Sequence, residues 1–147
     1  DGLGLLPVRT VFGTQKRTVL VEGAFDEVSG PLSALSGLPV RGYEIHMGQT
    51  EVAGRSLASI SDGSVPMASD GCQEGNVYGC YLHGLFDRPE VTQALVGALL
   101  ARKGLDVAAV RAVDMAAYRQ RQYDVLADGI RTHMDMRLVH RIIEEGL

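Results

Sequence analysis

The apolar pattern changes its period near residue 87, and that change limits what the chain can fold into. Up to Phe86, short β-branched or alternating runs are separated by glycine-rich turns, which is the pattern of strands. From Pro89 onward, apolar residues recur at helical spacing. Strands followed by covering helices predict a layered α/β fold, strand-rich over residues 1–86 and helical over 87–147.

Residues 18–21 form a β-branched run bounded by Gly23. Residues 32–39 are small and turn-rich, and 56–60 read as another strand. Residues 42–48 alternate cleanly: Tyr43, Ile45 and Met47 fall on one face, Glu44 and His46 on the other. Residues 72–83 read as a hairpin, with its turn near Gln73, Glu74, Gly75 and Asn76 and a second arm over 77–83 that Gly84 ends. Asp87 and Glu90 have capping-box spacing, Pro89 suits a first helical turn, and Gly104 is placed to stop that helix. Val91, Leu95, Ala98, Leu99 and Arg102 make its stripe. A second helix carries Tyr123, Leu126, Ala127, Ile130 and Met134, with its start left open between residues 106 and 118. Asp135 is placed to cap a last helix ending near Glu145.

The 147 residues suffice for one domain with a real core. A net charge of −4 argues against a nucleic-acid-binding surface. No apolar run approaches the roughly 20 residues needed to span a bilayer, and no signal-peptide pattern opens the chain, so no membrane partner and a cytoplasmic location are expected. The opening, Asp1-Gly2-Leu3-Gly4-Leu5-Leu6-Pro7, reads like the middle of a domain. Cys72 and Cys80 make neither a disulfide framework nor a zinc site, and the hairpin register is expected to hold them too far apart to bond. No metal site and no phosphate-binding loop is expected, so the chain should bind no ATP of its own.

Three residues stand out for chemistry. His83 sits at the end of a strand, before a glycine turn, where catalytic groups gather in α/β sheets. Imidazole moves protons near neutral pH. Glu44 and His46 share a strand face with Cβ atoms about 7 Å apart, close enough to share a ligand. Each has a plain structural alternative, a satisfied strand-end histidine and the wet face of a strand. His133 and His140 lack partners at ligand spacing and read as surface residues. Cys80 points away from His83 on the expected strand and does not suit the role of its thiol partner.

Three segments, taken in order, resemble one family. Residues 2–8 with Thr10-Val11-Phe12, the run Gly42-Tyr43-Glu44-Ile45-His46-Met47-Gly48-Gln49-Thr50, and the run Gly79-Cys80-Tyr81-Leu82-His83-Gly84-Leu85-Phe86-Asp87 are similar to the glutamine amidotransferase domain of cobyric acid synthases. The resemblance implies the C-terminal portion of a class I amidotransferase-like, flavodoxin-like layered fold with a helical tail. It implies that His83 activates a cysteine and protonates the departing ammonia. That cysteine is expected upstream of residue 1, so the chain alone is expected to be inactive. The wider class places a glutamate where Leu85 stands. What orients His83 is left open between Glu44 and a backbone carbonyl. The implied partners are glutamine, an N-terminal synthetase domain holding ATP and Mg²⁺, and a corrin whose carboxylates become amides. Two other readings stay open: a related amidotransferase serving cobyrinic acid diamide synthesis or lipid-linked peptidoglycan precursor, and a non-catalytic docking module.

Overall fold

The computed structural model describes residues 2–64, 66–108, 111 and 113–146. Residues 1–112 form one compact unit and residues 113–147 a second. In the first, two long antiparallel strands, β1 (Val8–Phe25) and β2 (Pro39–Val52), make the central ribbon. The runs expected at 18–21 and 42–48 are the middles of these strands. The strands also run through polar stretches such as Thr14-Gln15-Lys16-Arg17, where Lys16 and Arg17 are held by pairing with Met47 and His46. The register slips between Val11 and Lys16, so residues 12–15 bulge opposite Gly48.

Around the ribbon, β3 (Ala58–Ser61), β4 (Ala68–Asp70) and β7 (Leu82–His83) complete a five-stranded sheet in the order β4-β3-β1-β2-β7, with every neighbouring pair antiparallel. A separate hairpin joins β5 (Cys72–Glu74) to β6 (Val77–Gly79). The second arm expected over residues 77–83 is therefore two strands in two sheets. Tyr81 explains the break: its N–H donates to Asp70 Oδ1 (3.3 Å) and its carbonyl accepts from the His83 ring (2.8 Å), so residue 81 has left the hairpin ladder. The turn is also shorter than expected, because Gln73 and Glu74 belong to β5.

One face of the sheet is the core. Val21, Phe25, Val40, Ala58, Ile60 and Leu82 pack there with Val28, Leu35, Leu57 and Val91. The cover is α1 (Pro89–Arg102), which packs on the 3-10 turn at Gly30–Leu35. Val91, at the start of α1, is completely buried. Asp87 does not cap this helix. It closes a 3-10 turn, Leu85–Asp87, its N–H donating to the Gly84 carbonyl (3.0 Å), and Arg88 takes the N-cap position without a side-chain cap. Leu99 of the expected stripe is half exposed, and Gly97 is buried against Val107 instead.

The second unit holds α2 (Met115–His133) and α3 (Met136–Glu145). The start of α2 is set by Asp114, whose carboxylate accepts from the N–H groups of Ala116 and Ala117 (both 3.0 Å). Asp135 caps α3 through the Leu138 N–H (3.1 Å), as its position foretells. Among the described residues no helix is long and apolar enough to cross a membrane.

Candidate active site

His83 ends β7 on the outer edge of the sheet, opposite Tyr43 of β2. Residues directly opposite in an antiparallel pair share a face, so His83 lies on the open side with Tyr43, away from the core. Both side chains are exposed. Two glycines make this placement. Gly84 turns the chain at φ +86°, a left-handed conformation that favours glycine. Gly42 lets β7 lie close on β2, since a Cβ there would sit 2.1 Å from the His83 carbonyl oxygen.

The imidazole is oriented by the backbone. His83 Nδ1 lies 2.8 Å from the Tyr81 carbonyl oxygen, an acceptor only, so Nδ1 carries the proton and donates. Neutral, the ring then presents Nε2 as a base toward the open face. Of the two orienting groups left open by the sequence, the carbonyl holds the ring. Leu85, where the wider class has a glutamate, packs against the core.

Glu44 and His46 are together, as their spacing requires, with His46 Nδ1 3.5 Å from Glu44 Oε1. They lie on the other face of the sheet from His83, because Glu44 pairs with the buried Leu82. Glu44 Oε2 accepts from Arg17 Nε at 2.6 Å. The His46 ring stacks obliquely on Tyr81, with centroids 5.0 Å apart. The Tyr81 hydroxyl meets Thr10 Oγ1 and Thr50 Oγ1, each at 3.0 Å, and the two threonines are 2.9 Å from each other. Glu44, His46, Thr50 and Tyr81, with Asp70 and Cys80, line a cavity of about 330 Å³. Tyr81 thus touches both sides: its carbonyl holds His83 and its ring walls the cavity.

Asp70 escaped the sequence reading, since Asp70-Gly71 has the look of an exposed turn. It is 5% exposed, and burial raises its carboxyl above the ordinary value, against the opposing pull of the Tyr81 N–H. A raised folded-state value means that the neutral carboxyl favours folding fully below the ordinary carboxylate range. That contribution is lost as pH rises through the raised value.

Residues 1–91 match the family of CobB/CobQ-like glutamine amidotransferase domains. Cobyric acid synthases from Ruminiclostridium cellulolyticum and Lachnoclostridium phytofermentans are 39% and 36% identical over 99% of the chain. That of Citrobacter koseri is 41% identical over 98% of it. The chain covers 29%, 31% and 29% of those three proteins, matching their C-terminal part. The chain belongs to the CobB/CobQ-like glutamine amidotransferase family. Its mixed α/β architecture, with a central antiparallel sheet and C-terminal helices, is consistent with the class I amidotransferase fold.

The two cysteines are poorly suited to be the reactive thiol that the sequence resemblance implies. Cys72 is 1% exposed, and burial pushes the Cys80 thiol up, away from the thiolate. Both are free. Distance along the ladder is not what separates them, contrary to the expectation: Cys72 pairs with Gly79, one residue from Cys80. Cys80 lies just past the end of β6, and both cysteines line the same cavity. His133 is held within its own helix, Nδ1 lying 2.8 Å from the Gly129 carbonyl.

Proposed function

We propose that this chain is the histidine-bearing part of the glutaminase of a cobyric acid synthase. Glutamine supplies ammonia there for ATP-dependent amidation of corrin side-chain carboxylates in cobalamin biosynthesis. The observation that carries the reading is the Nδ1–H bond of His83 to the Tyr81 carbonyl, which leaves Nε2 free on an open sheet face. Family membership and the cobyric acid synthase relatives support the substrate class.

The chemistry requires a cysteine brought to the His83 side by another segment. Nε2 takes the thiol proton, and sulfur attacks the side-chain amide carbon of glutamine to give a tetrahedral oxyanion. The C–N bond breaks, ammonia leaves with the proton from His83, and a thioester remains. Nε2 then takes a proton from water, which attacks the thioester, and the C–S bond breaks to release glutamate and the thiol. ATP and Mg²⁺ belong to a separate synthetase domain, since this chain carries no phosphate-binding loop.

The test is His83→Ala in the full-length enzyme, with glutamine and ammonium salt as alternative nitrogen sources. Glutamine-dependent amidation falls by at least roughly 10²-fold, while ammonia-dependent amidation stays near wild type. The melting temperature is the folding control. Parallel loss of both activities, or undiminished glutamine use, rules the assignment out.

A further inference from the structure

The cavity behind the sheet has a lining of one chemical character. Its charged groups are two carboxylates, Glu44 and Asp70, and its other polar side chains include His46 and the hydroxyls of Thr50 and Tyr81. No lysine or arginine lines it. Asp70 Oδ1 accepts from the Tyr81 N–H, but Oδ2 is buried with no hydrogen-bond partner, on a residue 95% withdrawn from solvent. His46 Nδ1 is likewise buried without a hydrogen-bond partner. Glu44 Oε2 is taken by Arg17, which leaves Oε1 on the His46 side. Buried polar atoms are almost always met by a partner, and an unmet carboxylate oxygen is among the most costly to leave so.

We propose that this cavity binds a small cation with N–H donors, either the ammonium ion or the ammonium head of a short primary amine, on the carboxylates of Asp70 and Glu44. An anion would face two carboxylates, and the nearest guanidinium, that of Arg17, is already taken up by Glu44 and Asp62. A metal ion would lack ligands, since among the described residues no three His, Cys, Asp or Glu side chains converge to hold one. An apolar ligand would leave Asp70 Oδ2 as it is. An N–H cation supplies both the charge and the donors that the lining lacks, and a volume of about 330 Å³ admits a short body behind the charged head. The inference stands on this lining and does not need the glutaminase reading. The site also adjoins His83 through a single residue: Tyr81 donates its N–H to Asp70 and accepts from His83 at its carbonyl.

The test is thermal unfolding of the full-length protein in ammonium, methylammonium, tetramethylammonium and sodium chloride at equal ionic strength. Ammonium or methylammonium gives a saturable rise on the order of a few degrees, and tetramethylammonium and sodium do not. A larger effect of ammonium identifies the free ion as the ligand, and a larger effect of methylammonium identifies the head of a longer amine. Asp70→Asn, which keeps the shape and the Oδ1 acceptor, abolishes the selective rise, and Cys80→Ser, a neutral change in the same wall, keeps it. Should Asp70→Asn fail to fold, Glu44→Gln decides, by weakening the selective rise. Equal response to all four salts in wild type overturns the proposal. So does a selective rise that survives in Asp70→Asn or, where that variant does not fold, in Glu44→Gln.

Discussion

Gln73 is 2% exposed, and both ends of its amide are satisfied. Nε2 donates to the carbonyls of Glu27 (2.9 Å) and Ser56 (2.8 Å), while Oε1 accepts from the Ser29 N–H (2.9 Å) and hydroxyl (3.2 Å). Two donors and two acceptors use the full capacity of an amide, and they tie β5 to two connecting segments. Gln73→Leu fills similar space but leaves the Ser29 N–H and the Ser56 carbonyl without these partners and the Glu27 carbonyl with only Arg55 Nη2 (3.3 Å), and we expect a loss of about 2 kcal/mol or more. A melting temperature within a degree of wild type would show that water replaces the network at no cost. The sequence did not reveal this residue, because a polar side chain beside Glu-Gly-Asn has the composition of a turn. Burial of Gln73 is decided by what packs over it, which no local pattern records.

Strand pairing shows where local reading succeeds and where it stops. The alternation over residues 42–48 correctly separated Tyr43, Ile45 and Met47 from Glu44 and His46, because period two follows from strand geometry alone. It did not tell which face is covered. The polar pair lines a cavity on the core side, and the apolar trio lies on the open one, with Tyr43 52% and Met47 43% exposed. His83 was legible as a strand end before a turn, but its face was not, since that depends on register with a strand some forty residues away. Gly42 fixes that contact. Gly42→Ala places a methyl group where the His83 carbonyl now sits, so β7 must lift from β2. We expect a destabilisation of about 1–3 kcal/mol by overpacking. Glutamine-dependent amidation falls further than ammonia-dependent amidation, because the displaced backbone carries the imidazole. Equal rates with both nitrogen sources and an unchanged melting temperature would show that the two strands have room to spare.

At the scale of the first compact unit, the sheet is a partition. One side holds the hydrophobic core and, at its polar end, the cavity of Glu44, His46 and Asp70. The other side is open and carries Leu20, Tyr43 and Met47, with His83 at the edge strand. If His83 performs the glutaminase chemistry, glutamine must approach from the open side, and Tyr43 is the side chain opposite His83 on that face. Tyr43→Ala removes an exposed ring, so it changes stability by no more than about 0.5 kcal/mol. On that reading it also removes a wall of the glutamine site. We expect glutamine-dependent kcat/KM to fall roughly tenfold, the equivalent of about 1.4 kcal/mol of lost binding, while ammonia-dependent amidation stays within about twofold of wild type. Tyr43→Phe separates the two things the ring can offer: if contact area matters the variant behaves as wild type, and if the hydroxyl matters it behaves as Tyr43→Ala. Undiminished glutamine use by Tyr43→Ala would place the substrate away from this face, and the assignment of His83 would then fail with it, because Nε2 reaches only the side of the sheet on which it lies.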